Sequence, residues 1–198
     1  MIIVKAVIAD IKEYQRGVLP QNARRIDTPS SIDEMMKKTT PITALLCAIL
    51  IVMMFVKTIM SHTKVVNPLG IFAGVAMGFV MLVVHEWLHA IVYPKDARVI
   101  IGRVKGKILF VALSSYPMTR GRFIIMSLLP FVLGILPLAV FLISPAENKM
   151  LNGMMFGMAC MGMVSPAPDV YNVFSILKYS NRKDKVMFYE DDLFIISE

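Results

Sequence analysis

Two residue types that build small extracellular folds and metal clusters are scarce in this sequence. There are only two cysteines, Cys47 and Cys160, and only three histidines. Both cysteines sit inside apolar runs, which excludes a disulfide framework and a cysteine-rich zinc site. Three histidines are too few for a diiron desaturase or hydroxylase. Charge is scarce too: Asp, Glu, Lys and Arg together make 18% of the chain, and Val65 to Val84 carries none. No solenoid repeat or low-complexity linker is visible, which argues weakly against a transporter built from repeats. Nothing at the start resembles a signal peptide, because Lys5 and Asp10 interrupt the first apolar residues and no small-residue cleavage site follows. Membrane insertion is therefore expected to use internal segments.

What the chain has is apolar length. Hydrophobic residues make 57% and mean hydropathy is +0.66, too apolar for an ordinary soluble domain of this size. The apolar residues fall in long uncharged runs, the mark of a membrane protein. The net charge of +7 comes from bases that flank those runs, which points to topology and anionic headgroups and away from nucleic acid.

The expected fold class is all-α and membrane-spanning, with about four transmembrane helices at roughly 41–60, 67–92, 123–143 and 150–164. Lys57, near the end of the first, is expected to snorkel to the interface. Residues 1–40 read as an N-terminal cytosolic or interfacial segment. Ile2, Ile3, Val4, Val7, Ile8 and Ile11 suit one face of a surface helix, with a strand as the alternative. Gly17, Pro20 and Thr28-Pro29-Ser30-Ser31 mark a loop before the bilayer. Residues 41–178 form the membrane domain and 179–198 a cytosolic tail, with short strands conceivable at Val186–Tyr189 and Leu193–Ile196. Within about 98–113, Val99-Ile100-Ile101, Lys105-Gly106-Lys107 and Ile108-Leu109-Phe110-Val111 read as a cytosolic β-hairpin. Its edge suits addition of an extended substrate strand, against the plainer alternative of a solvated loop.

Lys and Arg set the orientation. Seven precede the first span, seven lie between the second and third, and four follow the last; only Lys57, Lys64 and Lys149 lie on the other side. Multi-pass insertion in the cell membrane with both termini cytosolic follows.

The chemistry concentrates in His85-Glu86-Trp87-Leu88-His89. Residues four apart share a helix face, so His85 and His89 can hold one metal ion, with Glu86 beside them to accept a proton from water. Zn2+ is the implied cofactor, since it lowers the pKa of bound water toward about 7. Ionisable residues at the end of an uncharged span are costly and usually functional, although HExxH also arises as an ordinary polar helix face. A catalytic zinc needs a third protein ligand. His62 is expected a membrane thickness away. Asp169, after Pro166 and Pro168, stands where the inward-running fourth span ends, at the depth of the second span's HExxH; capping the next helix is its plainer role. Asn172, three residues on, could orient the site or hold substrate. Gly70, Gly74 and Gly78 form a small-residue face, and Gly78 lies within about 20° of both histidines on the helical wheel. Gly153 and Gly157 offer a matching face. Met150, Met154, Met155, Met158, Met161 and Met163 go round the fourth span and read as adaptable filler, although thioethers also bind Cu(I).

The HExxH, Val92-Tyr93-Pro94, the Tyr116-Pro117-Met118-Thr119-Arg120-Gly121-Arg122-Phe123 run, Leu129-Pro130-Phe131 and Asp169-x-x-Asn172 together resemble the "putative zincin peptidase" family of small prokaryotic membrane proteins. That family is similar to the site-2 proteases. The resemblance covers roughly residues 65–178. It implies zinc held by His85, His89 and Asp169, Glu86 as catalytic acid/base, and a membrane protein or peptide as substrate. Ala167-Pro168 stand where Gly-Gly is expected before the Asp, and Val170 where the site-2 proteases have Gly. The rival reading is a non-catalytic metal-binding membrane protein or degenerate protease acting as scaffold. Substrate identity and oligomeric state are not legible.

Overall fold

Long uncharged runs become long helices, and the β-branched clusters between them become strands. The computed structural model describes residues 1–29, 32–107 and 109–197, so Ser30 and Ser31 of the expected loop and Ile108 of the expected hairpin lie outside the described residues. In chain order the elements are β1 (Ile2–Ile8), α1 (Ile11–Tyr14), β2 (Ala23–Arg25), α2 (Ile32–Ser61), α3 (Pro68–Val92), β3 (Val99–Val104), β4 (Phe110–Leu113) and β5 (Met118–Thr119). There follow α4 (Arg120–Leu128), a 3-10 turn (Leu129–Phe131), α5 (Val132–Ile143), α6 (Lys149–Val164), α7 (Ala167–Tyr179), β6 (Lys185–Tyr189) and β7 (Asp192–Ile196). Among the described residues, three segments are long and apolar enough to cross a membrane: Asp33–Ser61, Pro68–Val92 and Arg120–Ile143. The element at the expected fourth span, α6, has 16 residues and is not among them.

The chain divides into two units. One comprises Met1–Lys38, His85–Leu129 and Pro168–Glu198; the other comprises Thr39–Val84 and Pro130–Ala167.

The second unit is helical. Its glycines do what their spacing implies. A Cβ on Gly70 would lie 2.6 Å from the Met150 carbonyl oxygen, and one on Gly78 would lie 2.5 Å from Met161 Cβ. The face of α6 answers in kind: a Cβ on Gly157 would sit 2.9 Å from the Val75 nitrogen. Helices α3 and α6 thus meet backbone to backbone, where dispersion contacts are densest. Lys57 differs from expectation. It does not snorkel outward: its ammonium donates to the carbonyls of Phe141 and Ser144, the latter at 2.7 Å, and to Asn152 Oδ1 at 3.1 Å. The last carbonyls of α5 lack helical partners, and a cation satisfies them at the negative end of the helix dipole.

The first unit holds both sheets, and here the all-α expectation is corrected. One sheet has the order β1-β3-β4 and the other β2-β7-β6-β5. At the N-terminus the strand alternative holds and the surface helix does not. β1 pairs parallel with β3, from Ile2 opposite Val99 to Ile8 opposite Val104. Its Ile and Val side chains are stiff at χ1 and suit a pleated surface. β3 pairs antiparallel with β4 around a turn in which Gly106 has φ +76°. The run Val99-Ile100-Ile101 is continuously apolar because both faces of β3 are covered. Val99 and Ile101 join a core with Ala90, Tyr93, Phe123, Met126 and Ile176, while Ile100 packs with Ile8 and Leu113. The tail forms strands as expected, and β6 pairs with β7 and with β5.

Gly74→Ala places a Cβ 2.8 Å from the Met154 carbonyl carbon, so it should lower thermal stability in detergent by the equivalent of about 1–3 kcal/mol. Gly121→Ala meets nothing within 4 Å and should cause no loss, so a scanning unfolding assay on the two variants separates packing from a general glycine effect.

Candidate metal centre

The last two turns of α3 carry the HExxH. Helical periodicity sets His85 and His89 on one face, with ring centroids 4.7 Å apart and ring planes at 77°. Their Nε2 atoms lie 3.0 Å from each other. Both residues are buried, at 5% and 7% exposure.

The third group arrives from α7. α6 ends at Val164, Ser165-Pro166 make a turn, and the helix restarts at Ala167. Pro168 is tolerated there because the first turn of a helix has no intrahelical use for its N–H groups. Asp169 occupies that first turn, where the helix dipole favours a carboxylate. Its Oδ2 lies 3.5 Å from His85 Nε2 and 3.5 Å from His89 Nε2. The three ligand-type atoms all lie within 4.8 Å of one another.

The protonation pattern suits a metal. His89 Nδ1 lies 2.8 Å from the Met126 carbonyl oxygen. A carbonyl only accepts, so Nδ1 donates to it, and in the neutral ring Nε2 then carries the lone pair that faces the gap. His85 Nδ1 is buried with no partner among the described residues. Zinc bound at about 2.0–2.1 Å in a tetrahedron has ligand atoms roughly 3.3 Å apart. The observed separations of 3.0, 3.5 and 3.5 Å bracket that value, so two imidazoles and one carboxylate fit the ion and leave a fourth position open.

Glu86 stands next to the ligand face with its Oε1 3.9 Å from His85 Nε2. Its carboxylate also faces the backbone of Ala112 in β4. Asn172 lies one turn beyond Asp169 on α7, half-buried, and no hydrogen bond among the described residues joins it to the two histidines or to Asp169. His62 occupies the turn after α2 with φ 52°. The Met126 carbonyl is a functional group that sequence reasoning missed. A backbone oxygen has no residue-type signature, and only the later fold brings α4 to His89.

The two histidines of one helix and the acidic residue of a later one form a group that could hold a metal ion. Residues 78–183, just over half of the chain, match the family described as "Putative zincin peptidase", and the chain belongs to that family. The match takes in His85, Glu86, His89 and Asp169. No curated protein and no solved structure matches the chain.

Each of His85→Ala, His89→Ala and Asp169→Ala should weaken zinc binding by more than about 100-fold, beyond the range of outer partners that merely orient a ligand. Metal analysis of the purified variants, with competition against a chromophoric chelator, checks this; an Asp169→Ala protein with wild-type zinc affinity would remove Asp169 from the site.

Proposed function

We propose that this protein is a membrane-embedded zinc-dependent endopeptidase of site-2-protease type, acting near the cytosolic face on membrane proteins or membrane-proximal segments. The observation that carries this reading is the convergence of His85 Nε2, His89 Nε2 and Asp169 Oδ2 beside the Glu86 carboxylate. When bound, zinc supplies a Lewis acid that brings the pKa of water toward about 7. His85, His89 and Asp169 hold it, and the Met126 carbonyl keeps His89 in the metal-binding tautomer. Glu86 takes the proton of the attacking water and returns it to the leaving nitrogen as the peptide bond breaks. A site meant only to bind metal needs no such base beside its ligands.

Membrane insertion is supported by the three long apolar helices among the described residues; four spans with both termini cytosolic rest on the distribution of Lys and Arg and require the 16-residue α6 to cross as well. The substrate is proposed to lie extended along β4. Val104 N–H donates to the Leu109 carbonyl at 2.8 Å, and antiparallel ladders alternate. Val111 and Leu113 therefore bond to β3, while Phe110 and Ala112 turn their N–H and C=O groups toward the open edge. β4 is the last strand of its sheet, and Glu86 faces Ala112, so an added strand would pass beside the proposed base.

Glu86→Gln should retain zinc and lose about 10²–10⁴-fold in turnover. Wild type and variant are compared for bound zinc and for membrane peptides cleaved only by the wild type. Equal zinc with no difference in any peptide would mark a metal-binding scaffold without chemistry. Phe110→Pro deletes an edge N–H outside the β3–β4 ladder and away from the Glu86 carboxylate, so it should reduce turnover with zinc content intact. Zinc lost along with turnover in that variant would assign β4 a structural role.

A further inference from the structure

The Tyr116–Phe123 run offers no atom to the metal centre, yet it holds Arg120, which bonds across the first unit. The Arg120 guanidinium Nη1 donates to the Ser180 carbonyl at 3.1 Å, and the Arg120 backbone N–H donates to the Asp184 carbonyl at 3.2 Å. The turn that receives it is itself closed: Asn181 N–H donates to Asp184 Oδ2 at 2.7 Å and Asp184 N–H to the Asn181 carbonyl at 3.2 Å. From β2, Arg24 Nη2 donates to the Tyr179 carbonyl at 2.8 Å. Two guanidiniums therefore sit on the exit of α7, where the last carbonyls lack helical partners and the dipole is negative.

Helix α7 carries Asp169 in its first turn, and α4, which Arg120 opens, carries the Met126 carbonyl that fixes His89. Apolar packing of Phe123, Met126, Ala90, Tyr93 and Ile176 sets the lateral spacing of these helices. Such packing is non-directional and constrains sliding along the helix axis least. Hydrogen bonds are directional, and those at the far end of α7 fix its axial position. A rigid helix passes any slip at its exit to its entrance undiminished. The Asp169 carboxylate, 3.5 Å from each imidazole nitrogen, has little room for one.

We propose that Arg120 is a positioning residue of the metal centre. It joins the start of α4 to the end of α7, and so holds the Asp169 carboxylate and the Met126 carbonyl in register with the two histidines. The inference rests on the reading that His85, His89 and Asp169 hold a metal ion.

The test uses the full chain in detergent, with Zn2+ affinity from chelator competition and the visible spectrum of the Co2+-loaded protein as readouts. Arg120→Ala should bind Zn2+ about 10–100-fold more weakly and alter the Co2+ bands, the range for partners outside the ligand set. Arg120→Lys, which keeps one donor for Ser180, should recover part of that loss, and it carries the test if Arg120→Ala fails to fold. In an Asp169→Ala background, where zinc is held by two imidazoles, the effect of Arg120→Ala should shrink to the part that acts through the Met126 carbonyl and His89. Wild-type affinity and an unchanged Co2+ spectrum in Arg120→Ala would overturn the proposal, as would an undiminished drop in the Asp169→Ala background, which marks general loss of fold. A wild type that binds neither Zn2+ nor Co2+ would remove the metal centre itself, and Arg120's role with it.

Discussion

Two imidazole nitrogens 3.0 Å apart in a buried site, with a carboxylate oxygen 3.5 Å from each, are an arrangement that a cation satisfies and solvent does not. In the neutral ring His89 commits its one proton to the Met126 carbonyl, so its Nε2 presents a lone pair. A second lone pair and an anion facing the first repel one another unless a proton or a metal ion lies between them. Several features of the chain make sense as consequences. α3 continues unbroken through His89 so that both rings share one face. The helical path of residues 149–179 is interrupted at Ser165-Pro166, so that Asp169 enters in a fresh first turn. α4 ends close enough to His89 for a backbone oxygen to reach the ring.

Two histidines and one carboxylate are not unique to zinc. The same donor set, with open positions, serves non-haem Fe(II). Glu86 discriminates between the two chemistries. Oxygen activation at iron has no need of a carboxylate one residue from a ligand, whereas hydrolysis needs a base within reach of the water at the open position. Membership of the zincin family points the same way. Iron(II) replacing zinc in a site of this geometry would still leave Glu86 placed for proton transfer.

The parts legible in the sequence are those fixed by local rules. His85 and His89 could be paired because helical period is a property of five consecutive residues. Asp169 could be singled out because prolines on either side of Ala167 announce a helix break; its carboxylate lies 3.5 Å from both histidine nitrogens. Gly70, Gly74, Gly153 and Gly157 could be read as contact faces because a missing Cβ has one packing consequence in a membrane helix. What stayed hidden depends on partners distant in sequence. β1 looked like an amphipathic helix because its partner, β3, lies almost a hundred residues on, and a parallel pair leaves no turn signal between its strands. β2 is three residues of Ala-Arg-Arg, with nothing strand-like apart from the β7 residues it meets. Lys57 followed the snorkelling rule in the sequence, but its ammonium instead meets carbonyls at the end of α5, far away in the chain.

The interruption between α6 and α7 also bears on the proposed hydrolysis at a membrane. Sixteen residues of α6 rise about 24 Å, less than the roughly 30 Å of a hydrocarbon core. A helix that stops short leaves carbonyl and N–H groups that hydrocarbon cannot satisfy. Such backbone persists at membrane depth only where protein covers it or where it lines a wet cavity. One of these groups is answered locally, by Ser165 N–H donating to the Met161 carbonyl at 3.0 Å. Pro166 and Pro168 have no N–H to answer. The sequence thus limits the number of donors stranded at the break, at the point where the chain turns to deliver Asp169. A break so economised can tolerate either a dry or a wet surround. Hydrolysis requires the wet one at the open position between His85, His89 and Asp169, and there the buried Nδ1 of His85, without a partner among the described residues, is a polar atom that an entering water can satisfy.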